Sequence, residues 1–424
     1  MAATPPMMPM GAAASKAPPF LLPGEHFAAA LLFLLSGAVG LVVIAPALAT
    51  GAYVSPRVAG VTHLFTLGWI TTSIMGALYQ FLPVALGEPI RWLRVAHASF
   101  VLHAPGLALF VAGLVANESA LMLAGAACFG SGVLLFTINL AATLKSAQRR
   151  DVTWWALAFA DFYLFATLCI GISLAGNLRW GYLGAGRLNA MGVHIHIAVA
   201  GWVLLVMIGV AQRLLPMFLL SHGAGDRNAR VAVALVASGA GILTFLHHAP
   251  VAISRWLPAL LIAGGCVAFL LQARAFYAHR VRRNLDPGMR LAATALAALV
   301  VALVVVWPVI AGVAQARHAT AYVMTLLLAI SLFIVAHYYK IVPFLIWYHR
   351  FGPVAGRQEV PRVSELYSAR LATIAASTLV AATALLAGGV ALGVGTVARA
   401  GAVTFAGGVA VTLWQMFQLA RKRP

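Results

Sequence analysis

Along most of the chain, apolar residues come in long unbroken runs, without the alternation of a half-buried strand or the single stripe of a surface helix. Crossing the hydrocarbon core of a bilayer takes about 20 such residues in a helix. Runs long enough fall near 26–50, 60–86, 93–116, 119–143, 152–176, 190–220, 229–248, 254–277, 289–314, 319–347, 367–392 and 396–419. The pattern predicts an all-α polytopic membrane protein of about twelve transmembrane helices.

The sixth run carries the densest chemistry. His194-Ile195-His196 opens a helix, IAVAGWVLLVMIGVAQRLLPMF, that closes near Pro216. Two histidines two residues apart sit about 200° apart on a helix, so their rings enter different neighbouring spaces at nearly one depth. That arrangement suits two separate metal or haem sites. The same pattern occurs earlier, where His63, Gly68-Trp69, Gly76 and Pro83 stand at the mutual spacings of His196, Gly201-Trp202, Gly209 and Pro216. These identities at one offset, both histidines included, predict an internal repeat. Extending the offset to Pro343 gives three pseudo-repeats of four helices, at 26–145, 152–278 and 289–420, after a Pro-, Ala- and Met-rich lead-in at 1–25. The third is degenerate, because Val323 stands where the histidines stand and Ala336 replaces the glycine.

Composition agrees with a membrane protein: 62% of residues are hydrophobic and 9% charged. A net charge of +19 might suggest a nucleic-acid partner, but its distribution argues against one. Basic residues crowd alternate loops, as at Arg91/Arg94, Lys145/Arg149/Arg150, Arg227/Arg230, Arg280/Arg282/Arg283/Arg290 and Arg350/Arg357/Arg362/Arg370. The positive-inside rule then places both termini in the cytoplasm, in a bacterial inner membrane. Cys128, Cys169 and Cys266 are single and lie in apolar runs, which points to packing.

His63, His194, His196, His247 and His248 all fall at the outer ends of spans. An unpaired charge at the centre of a span costs on the order of 2–3 kcal/mol, so ionisable groups in spans are expected to have partners. Neutral imidazole bound to iron or copper meets that expectation. His63 and His196 open helices of the same direction, so two rings at one level can ligate one macrocycle from both faces. His247-His248 ends the seventh span before Pro250 and can offer two nitrogens to copper if the backbone unwinds there. His97, His103 and His337 read as hydrogen-bonded interior residues, and His26, His222, His279, His318 and His349 carry no assigned chemistry. Gly68, Gly76, Gly201 and Gly209 allow close approach of either a flat ligand or another helix. Trp69 and Trp202 either stack beside a porphyrin or fill the interior. Outer arginines such as Arg57, Arg179, Arg187, Arg255, Arg317 and Arg399 can meet propionates or simply be solvated. Gln80, Arg213 and Lys340, each three residues before a repeat proline, read as snorkelling to the interface.

With Gly209 thirteen and Pro216 twenty residues after its second histidine, the HxH helix resembles the tenth helix of subunit I of the haem–copper oxidase superfamily. Twelve spans, three pseudo-repeats, a helix-two histidine and a His-His pair closing helix seven are also similar to that family. The haem- and copper-containing NnrS proteins, linked to nitric oxide stress, share the spacing of His63 to Pro83. The resemblance implies one or two haem b groups, with copper as a possible further metal. It also implies electron transfer or nitric oxide or oxygen chemistry near the outer face, a redox partner such as cytochrome c or quinol, and small accessory subunits. Here, though, HxH sits on helix six and not ten, and Asp161 is the one acid well inside a span. Two assignments stay open. In one, His63 and either His194 or His196 hold a haem, and the other histidine holds a second; in the other, His196 joins His247 and His248 around copper. A cofactor-free transporter of a small solute or metal, or a structural respiratory subunit, are the alternative functions.

Overall fold

The computed structural model describes residues 18–246 and 252–424. Among them, twelve helices are long and apolar enough to cross a membrane. In chain order these are α1 (Leu21–Ala49), α2 (Pro56–Leu86), α3 (Leu93–Ala116), α4 (Ser119–Ser146), α5 (Val152–Trp180) and α6 (Gly184–Leu219). They continue as α7 (Arg227–Phe245), α8 (Ile253–Ala278), α9 (Pro287–Ile310), α10 (Ala316–Val354), α11 (Ala369–Leu392) and α12 (Gly395–Arg421). No strand occurs among the described residues. The chain is an all-α, multi-pass membrane protein: helices are the structure that satisfies every backbone amide inside lipid without help from a neighbour.

Several helices run beyond the apolar runs, because a helix keeps its hydrogen bonds after its side chains turn polar. α1 starts at Leu21 and so includes Glu25, and α10 continues past residue 347 to Val354. Caps set other boundaries. Ser55, Asp151, Asp286 and Ser368 each accept a hydrogen bond from the amide three residues on, and Pro56 and Pro287 stand in first helical turns.

α2 and α6 repeat one another in conformation as well as in sequence. Each leaves the α geometry directly after its histidine for a π-helical stretch, Leu64–Thr71 and Ile197–Leu204, then resumes as Thr72–Leu86 and Leu205–Leu219. Both end on a left-handed residue, Gly87 and Leu220. Their neighbours match too. A Cβ on Gly68 would meet the Cβ of Phe33 at 2.6 Å, as one on Gly201 would meet the Cβ of Tyr163; one on Gly76 would meet the Cβ of His26 at 2.7 Å, as one on Gly209 would meet that of Ala156 at 2.8 Å. These four glycines therefore admit neighbouring helices, α1 against α2 and α5 against α6. α10 is regular α-helix from Ala316 to Ile346 and has no π stretch at the level of Val323.

The three central helices meet through aromatic and hydroxyl groups. Trp202 Nε1 donates to Thr71 Oγ1 at 3.2 Å, joining α6 to α2. Trp69 packs on Tyr338 of α10 with centroids 4.9 Å apart, and the Tyr338 hydroxyl bonds Ser73 Oγ at 2.8 Å. Both tryptophans are fully or almost fully buried, so they fill the interior.

At the arginine-rich face the start of α1 and the end of α12 come together, where Arg350 donates to the carbonyls of Ala420 and Lys422 and lies over Phe20. Two of the three residues before the repeat prolines, read as snorkelling, are also paired on this face. Arg213 pairs with Asp151 at 2.5 Å and Lys340 with Asp286, so each cation on the second helix of a block meets the capping carboxylate of the first. Lys340 is mostly buried, which leaves pairing as the cheaper way to keep its charge. Replacing it by methionine should cost about 2 kcal/mol, read as a lower unfolding midpoint in detergent, and adding Asp286→Asn should recover part of the loss.

Hairpins are the tightest contacts. A Cβ on Gly125 of α4 would lie 2.2 Å from the Phe110 amide nitrogen of α3, and one on Gly401 of α12 would lie 2.5 Å from that of Leu386 of α11. Gly125→Ala should therefore destabilise by about 1–3 kcal/mol, whereas Gly388→Ala, with open space around it, should leave the midpoint unchanged or slightly raised.

Candidate metal or haem site

His63 ends the first α-helical turns of α2, and His194 lies seven residues after Arg187 in α6, both at the face opposite the arginine-rich loops. Their rings face one another, with centroids 6.4 Å apart and planes inclined by 32°. Imidazole nitrogens bind a metal at about 2 Å, so two rings sharing one ion have centroids about 6 Å apart. The observed centroid separation is close to that spacing.

Second partners fix which nitrogen each ring presents. His63 Nδ1 donates to the Ala59 carbonyl at 2.7 Å, and His194 Nδ1 donates to the Thr167 carbonyl of α5 at 3.1 Å. A carbonyl only accepts, so Nδ1 carries the proton in both rings and Nε2 keeps its lone pair for a ligand. His26 and His337 have the same tautomer through their own helices. What separates His63 and His194 from them is the facing of two such rings.

Packing holds the pair in place. Phe110 of α3 stands edge-on to His63, with centroids 5.3 Å apart and planes at 84°. Gly171 of α5 lies beneath the other ring: a Cβ there would come within 2.9 Å of His194 Cε1. That glycine gives no recognisable signal in the sequence, because its role depends on a neighbouring helix. Both histidines are only partly buried, so some ring surface stays open for a ligand.

His196 takes a different position. It is the repeat partner of His63, yet it is exposed and its Nδ1 bonds the Gly192 carbonyl of its own helix at 2.7 Å. No aromatic or histidine ring faces it among the described residues. His247, His248 and Pro250 lie outside the described residues.

Other histidines are occupied internally. His103 Nε2 bonds Thr72 Oγ1 at 3.0 Å, His97 pairs with Glu25 at 2.8 Å, and His337 bonds the Phe333 carbonyl at 2.7 Å. His26, which carries no chemistry in the sequence reading, is fully buried between α1, α2 and α3. Of the outer arginines, Arg255 donates to the Val309 carbonyl and Arg317 packs under Gly393, while Arg57, Arg179 and Arg187 make no ion pair among the described residues. Asp161 of α5 is buried with one carboxyl oxygen lacking a partner.

Among the described residues no group of three or more His, Cys, Asp or Glu side chains is arranged to hold a metal ion. A bare copper or zinc ion needs such a set, whereas a porphyrin brings four nitrogens of its own and asks only for axial ligands. His63 and His194 offer two imidazoles, each with one nitrogen free, a donor set of the kind axial ligation uses. No family model matches this chain, and no curated protein sequence matches it either.

Crowding the cradle should be felt at His194. Gly171→Val should push the ring off its carbonyl and lower metal or haem affinity about tenfold or more, checked by haem titration, with Gly192→Val, which has open space, as the matched control.

Proposed function

We propose that this chain is a haem b-binding integral membrane redox protein, similar to subunit I of the haem–copper oxidases and to NnrS proteins. His63 and His194 would be its axial ligands. The observation that carries this reading is the facing pair of imidazoles with both Nδ1 atoms already spent on carbonyls. A haem held there would supply one-electron chemistry; with both axial positions filled by protein, it would pass electrons and not bind a diatomic. The chain's own part is to fix the two rings, exclude bulk water with Phe110, and offer Arg57, Arg179 or Arg187 to carboxylates at the rim.

By the positive-inside rule the arginine-rich face is cytoplasmic, in a bacterial inner membrane, with both termini inside. The histidine pair then lies near the outer face, within reach of a soluble cytochrome c, of quinol, or of small accessory subunits. His196, turned to another side of α6, would serve a second haem; in the alternative assignment it would join His247 and His248 around copper.

Absorption of the purified protein from haem-replete cells tests the reading. A reduced-minus-oxidised b-type band is expected. His63→Ala and His194→Ala should each remove the low-spin signal, while His196→Ala should keep it. A featureless spectrum from intact protein would instead favour a cofactor-free transporter or a structural subunit.

A further inference from the structure

At the arginine-rich face a cavity of about 290 Å³ lies where the start of α5, the end of α6 and the loop into α7 meet, backed by Phe276 of α8. Its lining is rich in donors that the chain itself does not use. Ser221 is buried, at 6% exposure, and its hydroxyl has no hydrogen-bond partner among the described residues. The amides of Gly223, Ala224 and Gly225 donate to no carbonyl among the described residues. Val152 and Thr153 stand in the first turn of α5, where amides have no partner within the helix, and Asp151 caps only the next one, Trp154. Arg213 of α6 spends one of its five guanidinium N–H groups on Asp151.

The acids at this cavity are already matched. Asp151 takes Arg213 at 2.5 Å, and Asp226 takes Arg230 at 2.5 Å. Two carboxylates and two guanidinium groups cancel, so donors gather there without a net negative charge. Arg150, over the Trp154 ring at 4.9 Å, and Arg227, which opens α7, add positive charge beside it. The loop is also held in shape. Its Gly225 carbonyl accepts from Gln272 Nε2 of α8 at 2.7 Å, and the Leu220 carbonyl accepts from the Val281 amide at 3.2 Å. With these carbonyls drawn away and Gly223 left-handed at φ +79°, the backbone between them is a run of successive free amides, the kind of concavity that binds anions.

We propose that this cavity binds one phosphate-class oxyanion, with the Ser221 hydroxyl, the Gly223–Gly225 amides and the Arg213 guanidinium as its donors. The ligand class follows from the donor set. An oxyanion accepts several N–H and O–H bonds at once, whereas a metal cation or an ammonium group would meet only carboxylates already bound to arginine. At the membrane face the phosphate comes either free from solution or as the headgroup of an anionic phospholipid, and the same donors serve both. Binding ties the end of α6 to the start of α5. The site does not rest on the haem reading, because His194 lies at the other end of α6.

Equilibrium dialysis of the full chain in detergent, at fixed ionic strength in chloride, tests the site with radiolabelled inorganic phosphate and, in mixed micelles, with radiolabelled phosphatidic acid. One saturable ligand per chain is expected. Saturation by phosphate identifies the free anion as a ligand, saturation by phosphatidic acid alone identifies the headgroup, and binding of neither overturns the proposal. Ser221→Ala, which removes a hydroxyl without breaking a bond in the chain, should weaken binding about tenfold, and Arg213→Gln at least as much. Arg357→Gln, on the α10–α11 loop of the same face, should leave it unchanged. Binding that Ser221→Ala and Arg213→Gln do not weaken places the anion elsewhere and overturns the assignment. Should Arg213→Gln fail to fold, Ser221→Ala decides.

Discussion

Everything in this bundle depends on how closely its helices can approach. Lipid tails are as apolar as leucine, so burial from water does not drive one spanning helix onto another; association rests on packing and on interhelical hydrogen bonds. Here glycine supplies the approach. At Gly106, Gly125, Gly389 and Gly401 the next helix's backbone lies where a side chain would be. The same device sets α1 into α2 at Gly68 and Gly76 and α5 into α6 at Gly201 and Gly209. Once these contacts are fixed, α2 and α6 are held with Trp202 bonded to Thr71, and the distance between their histidines follows.

Repetition and asymmetry coexist in that central pair. α2 and α6 share a π stretch, a left-handed end and a matched neighbour, yet the rings that meet are His63 and His194, and not the repeat partners His63 and His196. A two-residue displacement turns a side chain through more than half a revolution. The extra histidine thus lets α6 face α2 while His196 keeps the repeat position on another side. π segments are rare and cluster at functional sites, and both of those in α2 and α6 begin directly after a histidine. α10, without a histidine at that level, is regular α-helix there, from Ala316 to Ile346.

Polar groups inside the bundle divide into those that are paired and those that await a partner. Lys340 and Arg213 meet the caps of α9 and α5, so their charges serve to register helices. His63 and His194 have one nitrogen engaged and one to spare. His26, Tyr79 and His103 each leave one buried side-chain atom without a hydrogen-bond partner. In a medium without bulk water each of these has a consequence, because an unsatisfied group cannot turn to solvent.

The architecture was legible in the chain because the bilayer imposes a length and a polarity on every span; twelve runs, their order and the place of most boundaries need no knowledge of neighbours. The likeness of α2 and α6 was legible for a similar reason, as fixed spacings along single helices. What the sequence could not carry were relations across helices: that Gly171 cradles His194, that His194 and not His196 faces His63, that Lys340 meets Asp286, and that His26 is interior. Periodicity fixes where a side chain stands on its own helix, but the rotation and depth of one helix against another are set by packing at glycine contacts, and only tertiary structure decides them.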